Sequence, residues 1–138
     1  MINPYLQYQE QQIQNASPGE RVVMLYDGAV RFLEGAARAI NDGNVAKQCS
    51  NLDRAESILL GLISSLNLAQ GGDLAYCLLR IYEYCYNRLC DAASTDDVAA
   101  INEVSGLLSK LRGAWAEVSS VHYEEQGEPQ TAQMALMA

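Results

Sequence analysis

The chain has no proline between Pro18 and Pro129, and this long interval constrains the fold more than any other feature of the sequence. Proline interrupts helices because it lacks a backbone N–H and its ring clashes with the preceding turn. The interval is rich in leucine and alanine, and aromatic residues make up only 7% of the chain, a composition that favours helix. The sequence contains no stretch of alternating polar and apolar residues of the kind that predicts a strand. The sequence therefore predicts an all-α fold.

Three stretches that are typical of turns divide the interval into four helical pieces. They are Asn41–Asn44, Gln70–Asp73 and Ser94–Asp97. Each piece carries an apolar stripe at helical spacing, and short connections place consecutive helices antiparallel. The result is an antiparallel, up-down-up-down four-helix bundle.

The bundle is expected to occupy residues 17–119. The preceding residues 1–16 form a glutamine-rich N-terminal head. Residues 120–138 form a C-terminal tail that we expect to be mostly disordered, since it contains three glutamates with Gly127 and Pro129. A chain of 138 residues is too short for two independent cores, so these segments flank a single domain.

Local signals predict where the helices begin and end. Ser17 and Glu20 have the spacing of a capping box, Asn44 is the predicted cap of the second helix and Thr95 that of the fourth, while Gly43 suits a left-handed stop. Two acidic–basic pairs at a spacing of four residues are expected to support the first helix: Asp27 with Arg31, and Glu34 with Arg38.

Charge excludes several functional classes. The formal net charge is −8 and the pI is near 4.5, so phosphates would be repelled over most of the surface and neither nucleic acid nor an anionic membrane is an expected partner. No apolar run is long enough to insert into a membrane. The first residues lack the basic start and apolar stretch of a signal peptide, so we expect a cytosolic protein.

Catalytic and metal-binding patterns are missing from the sequence. Cys49, Cys77, Cys85 and Cys90 form no C-x-x-C pair, and with one histidine a zinc site would need unusual thiol spacings, so we expect buried, reduced thiols and no metal or cofactor. His122 is placed beyond the last helix, where no partner would orient it for catalysis. The sequence predicts that the protein is not an enzyme.

The third helix has more apolar surface than a four-helix bundle requires. Leu79, Tyr82, Tyr86 and Cys90 recur at helical spacing beside the main stripe. One interpretation places the tyrosines at a solvated rim; the other makes them anchors of a groove for an amphipathic helix. The groove could be covered by the head, whose apolar residues are spaced along a polar strip, by a second copy of the chain, or by a partner. The head residues are Tyr5, Tyr8 and Ile13.

Several segments resemble the flagellin-specific export chaperone family (FliS). The resemblance rests on Asn3-Pro4-Tyr5, Ala16-Ser17-Pro18, Met24-Leu25-Tyr26-Asp27-Gly28-Ala29, Gly71-Gly72-Asp73-Leu74-Ala75 and Trp115. It implies a cytosolic helical-bundle chaperone that binds the disordered C-terminal segment of flagellin, prevents premature polymerisation and assists delivery to the flagellar type III export apparatus. It also implies that no cofactor is used.

The expected partner-binding residues come from two sources. The apolar stripe indicates Leu79, Tyr82 and Tyr86, together with the head residues; the resemblance adds Met24, Leu25 and Tyr26, whose helical spacing is also typical of core. The head is either a lid over the groove or part of it. The alternative function is a structural or regulatory homodimer that buries the extra face against itself.

Overall fold

Four helices form the fold in a computed structural model that describes residues 18–125, and the side chains of residues 18–117. The helices are α1 (Pro18–Asn41), α2 (Val45–Ser65), α3 (Leu68–Thr95) and α4 (Val98–Glu125). Within residues 18–125 there is no strand, which confirms the all-α prediction. None of these helices is both long enough and apolar enough to cross a membrane.

The helices are arranged so that α1 and α3 occupy opposite corners. Each of these two packs against both α2 and α4, and α1 makes the more extensive contacts. Arg112 in the middle of α4 pairs with Asp27 in the first half of α1, with 2.9 Å between Nε and Oδ1. Arg88 near the end of α3 pairs with Glu103 near the start of α4, with 2.8 Å between Nε and Oε1. These pairs and the short connections agree with the predicted antiparallel bundle.

The connection between α1 and α2 follows the sequence signals. Gly43 has φ of +69°, the left-handed conformation expected at a helix stop. The backbone N–H of Lys47 donates to Asn44 Oδ1 at 3.1 Å, which confirms Asn44 as the cap of α2. The predicted capping role of Ser17 lies outside the described residues.

The predicted cap of the last helix is wrong. Thr95 is the final residue of α3, and its hydroxyl donates to the carbonyl of Asp91 at 3.1 Å. Asp96 follows in the left-handed conformation, and Asp97 caps α4 by accepting from the backbone N–H of Ala100 at 3.1 Å. Each residue from Ser94 to Asp97 is of a type that can cap a helix, and α4 begins after the last of them.

The predicted break at Gln70–Asp73 is confirmed at Gly72, but a turn that was not predicted precedes it. The chain leaves α2 at Leu66, and α3 begins directly after Asn67, whose Oδ1 accepts from the backbone N–H of Gln70 at 3.0 Å. Gly72 then kinks α3, with φ of +57° and ψ of −139°. Only glycine adopts this conformation without strain, so Gly72 interrupts the helical backbone and separates a short first segment of α3 from its longer second segment.

The last helix continues beyond residue 119, where the sequence-based boundary of the bundle was placed. The backbone of α4 is helical to Glu125, so the prediction that His122 follows the last helix is wrong. The head residues 1–16, and the part of the tail beyond residue 125, lie outside the described residues.

Candidate functional site

The apolar stripe on α3 divides into a buried and a half-exposed part. Tyr82 is only 2% exposed and belongs to the core, so it cannot serve as the surface anchor that the sequence predicted. Leu79 and Tyr86 are half-buried, and Cys90 is exposed. The physical reason is that Tyr82 is only a small rotation from Leu78 and Cys85 around the helix axis, so it faces the same core.

The Tyr82 hydroxyl finds its partner inside the bundle. It shares a hydrogen bond with the hydroxyl of Tyr26 on α1, and Trp115 Nε1 on α4 donates to the same Tyr26 oxygen at 3.0 Å. Tyr26 is completely buried and Trp115 is 7% exposed. This core triad of Tyr26, Tyr82 and Trp115 satisfies three buried polar groups and joins three helices.

Burial dominates the electrostatics of the core triad. It raises the pKa of Tyr26 to about 12 and raises that of Tyr82 further, because the charged phenolate would lose its hydration. Both phenols therefore remain neutral and hydrogen-bonded at physiological pH. Tyr26 is a core residue, which its helical spacing also indicated, and it is not accessible to a partner in this fold.

The other two members of the predicted α1 set are more accessible. Met24 and Leu25 are half-buried, and of the two only Leu25 packs against the core. Because α1 and α3 occupy opposite corners, the accessible part of Met24 and that of Leu79 lie on different faces of the bundle. The predicted binding residues therefore do not form one continuous patch.

A second apolar contribution comes from α2, which packs against α3. Leu60 is 47% exposed and Ile63 is half-buried. Glu56 lies close enough to Tyr86 for its charge to raise the tyrosine pKa, although Cys90 has the larger effect through its charge and a hydrogen bond. With Glu56 beside Tyr86 and the helices antiparallel, Ile63 lies at the level of Leu79.

We call this surface the α2–α3 face and define it by Leu60, Ile63, Leu79 and Tyr86. The sequence pattern predicted its α3 residues, whereas Leu60 was not predicted and Ile63 was assigned to the buried stripe of α2. The signal was present, since Leu60 lies three residues before Ile63 and outside the stripe that α2 buries.

The cysteines differ from the prediction of buried thiols. All four are free, but only Cys85 is buried, whereas Cys49, Cys77 and Cys90 are exposed. Burial raises the pKa of Cys85 to about 11, so this thiol remains protonated. Within the described part of the chain, no three potential metal ligands cluster.

The remaining predicted site residues, Tyr5, Tyr8 and Ile13, lie outside the described residues. Among those described, the accessible features include the apolar α2–α3 face, other exposed apolar side chains such as Tyr76 and Tyr84, exposed charged side chains and exposed thiols. Together they define a helical-bundle protein that exposes apolar side chains on α2 and α3.

Comparison with known proteins shows which family of helical bundles this is. The family described as flagellar protein FliS matches residues 1–122, and the chain belongs to this family. The flagellar secretion chaperone FliS of Bacillus subtilis is 34% identical over 115 residues, covering 83% of this chain and 85% of the relative. That of Salmonella typhimurium is 36% identical over 111 residues, covering 80% and 82%. The resemblance found in the sequence is thus confirmed, and the chain is a member of a flagellar export chaperone family.

Proposed function

We propose that this protein is a cytoplasmic export chaperone that binds the disordered C-terminal segment of flagellin, prevents its premature polymerisation and assists its delivery to the flagellar export apparatus. The observation that carries the proposal is the accessible α2–α3 face on a member of this chaperone family. Catalysis and cofactors have no part in the proposed activity.

The physical basis is coupled folding and binding. A disordered client segment would form helix on the α2–α3 face and bury its apolar side against Leu60, Leu79 and Tyr86. The free energy of ordering the segment reduces the net affinity, so a large contact area gives moderate binding. Moderate affinity suits a client that must be released for export.

The distribution of accessible residues favours a long client segment. Met24 on α1 and Leu79 on α3 are at opposite corners of the bundle. A single segment that contacts both must extend around α2 or α4, which a short, preformed helix cannot do. The head residues Tyr5, Tyr8 and Ile13 are proposed to act on this same path, either as a lid or as part of the binding surface.

Calorimetry and circular dichroism with a flagellin C-terminal peptide test the proposal. We expect binding accompanied by a gain of helix. Leu60→Glu should weaken binding at least about tenfold, because it places a charge in an apolar contact. Val45→Glu is the matched control, since Val45 is 67% exposed at the other end of α2 and the substitution adds the same charge. The proposal fails if the peptide produces neither heat nor helix.

Deletion of residues 1–14 separates the two roles of the head. Tighter peptide binding would identify a lid, and weaker binding would identify a part of the groove. Unchanged affinity would remove the head from the mechanism.

The alternative homodimer would use the same α2–α3 face. It predicts a mass of two chains in light scattering at micromolar concentration, conversion to one chain by Leu60→Glu, and no binding of the flagellin peptide. A single-chain mass for the unmodified protein, together with peptide binding, would exclude it.

A further inference from the structure

A basic cleft lies between α1 and α2, on the opposite side of α2 from the α2–α3 face. Its volume is about 580 Å³. We define the basic cleft by its four cationic lining residues, Arg31, Arg38, Lys47 and Arg54, and by Phe32. Gly35 also lines it, and the side-chain amide of Asn51 packs against this glycine.

The concentration of positive charge in the basic cleft is unusual for this chain. The whole protein has nine lysines and arginines and a formal net charge of −8, yet four of the nine cations line this one depression. Asp42 is the one acidic residue among its lining residues.

The cleft cations form no ion pair within the described residues. Among residues 18–117, ion pairs are formed by Arg88 and Arg112 but by none of the four cleft residues. The predicted pairs of Asp27 with Arg31 and of Glu34 with Arg38 are absent, and Asp27 pairs instead with Arg112 on α4. Arg54 lies over the Phe32 ring, 5.5 Å from its centroid, which holds one guanidinium at the cleft.

The register of α1 against α2 sets the positions of these charges along the cleft. A Cβ atom at Gly28 would lie 3.4 Å from Ile58, and one at Gly35 would lie 2.9 Å from Asn51, so the helices are close and antiparallel along this seam. The same register pairs Arg31 with Arg54 at one level and Arg38 with Lys47 at another. Since seven residues separate the members on each helix, the two cationic levels are roughly 10 Å apart.

We propose that the basic cleft binds an acidic segment of another polypeptide. Two levels of unpaired cations suit carboxylates spaced about two helical turns apart, and charge-assisted hydrogen bonds from guanidinium groups favour carboxylate partners. Phe32, beside the level of Arg31 and Arg54, gives the segment an apolar contact. A polyphosphate chain is disfavoured because it is charged at every unit, so the acidic remainder of the surface repels it beyond the cleft more strongly than a peptide with spaced carboxylates. This proposal does not depend on the flagellin-binding proposal.

Fluorescence anisotropy of the full chain tests the assignment. The probe is a labelled, alanine-rich helical peptide with pairs of glutamates seven residues apart, measured at low ionic strength. We expect saturable binding that weakens as salt is added. Arg38→Gln combined with Lys47→Gln should weaken binding at least about tenfold, because two charged contacts are lost. Arg80→Gln combined with Lys110→Gln is the matched control, since both residues are exposed, make no ion pair within the described residues and contribute the same charge.

A third variant gives the opposite response. Asp42→Asn removes the carboxylate from the cleft and should tighten binding severalfold, which a damaged fold would not do. Peptide binding that is absent, or that the control pair weakens as much as the cleft pair, would overturn the proposal. Tighter binding of a single-stranded oligonucleotide, or displacement of the peptide by inorganic phosphate at equal charge concentration, would overturn it in favour of phosphate recognition.

Discussion

The two corner helices α1 and α3 contact the same neighbours in different ways. The residues that α1 buries are mostly small, including Gly28, Ala29 and Ala36, and a Cβ at Gly35 would already be 2.9 Å from Asn51. The residues that α3 buries are larger, including Tyr82 and Leu89. Small side chains let helix backbones approach closely, so α1 packs extensively, while α3 keeps bulky residues such as Leu79 and Tyr86 partly exposed.

The two helices therefore contribute differently to the protein. The contacts of α1 with α2 and α4 hold the bundle together, and α3 provides accessible apolar surface. The core triad and the hydrogen bonds of Glu103 compensate for the looser packing of α3. Glu103 accepts from the Tyr84 hydroxyl at 2.6 Å and from Arg88 Nε at 2.8 Å, and these two hydrogen bonds hold its pKa below the usual range.

The largest expected effect compares two fully buried leucines. Leu33→Ala on α1 should lower the free energy of unfolding by about 4–5 kcal/mol, near the upper end of the range for buried leucines, because the tightly packed surroundings cannot relax into the cavity. Leu89→Ala on α3 should cost about 2–3 kcal/mol, because the looser seam can relax. Urea unfolding measures both. An equal or larger loss for Leu89→Ala would break the contrast.

The next effect is a loss of stability at alkaline pH through the core triad. The pKa of Tyr26 is about 12 in the folded chain and 10.0 without burial. Stability from this group is therefore complete below about pH 10 and is lost as pH rises towards 12, because the unfolded chain ionises first. The loss from Tyr26 is about 2–3 kcal/mol. Tyr82 extends the loss in the same direction.

Urea unfolding between pH 9 and 12 checks this second prediction. Tyr26→Phe should give a flatter dependence on pH, while Tyr76→Phe, at an exposed tyrosine, should retain the original slope. A stability that rises over this interval would contradict the assignment of Tyr26 to the core.

The third comparison concerns how much Tyr26 and Tyr82 each contribute to the free energy of unfolding at neutral pH. Tyr26→Phe removes both hydrogen bonds of the core triad and leaves the Trp115 indole N–H without a partner, so it should cost about 2–3 kcal/mol. Tyr82→Phe leaves the bond between Trp115 and Tyr26 in place and should cost about 1 kcal/mol. Thermal unfolding with a correction for heat capacity distinguishes the two, and a larger cost for Tyr82→Phe would contradict the geometry.

Sequence patterns predicted the helices better than the connections. The connection between α1 and α2 was predicted correctly because Gly43, which suits a left-handed helix stop, is directly followed by the helix cap Asn44. The turn at Leu66 was missed because Leu66 and Leu68 continue the apolar pattern on either side of Asn67. The glycine pair correctly predicted the break at Gly72, but not the short helical segment that precedes it.

The binding surfaces were less predictable because they depend on distant contacts. Tyr82 was assigned to a groove since adjacent stripes on a helix differ by small rotations, and only the partner helices decide which residue is enclosed. The cations of α1 were assigned to local acids, but Asp27 is paired with a residue on α4. The spacing of Arg31 from Arg38, and of Lys47 from Arg54, was a detectable signal for the basic cleft.

The smallest expected effect uses helical glycines to test how close α1 lies to α2. Nothing lies within 4 Å of a Cβ placed at Gly106 on α4, so Gly106→Ala should stabilise the protein by about 0.5–1 kcal/mol through helix propensity alone. Gly35→Ala gains the same propensity but must displace the Asn51 side chain, so its net effect should be close to zero. Urea unfolding of both variants gives the difference. An equal gain at the two positions would mean that α1 and α2 are farther apart than described, and the basic cleft would then lose the register that pairs its cations.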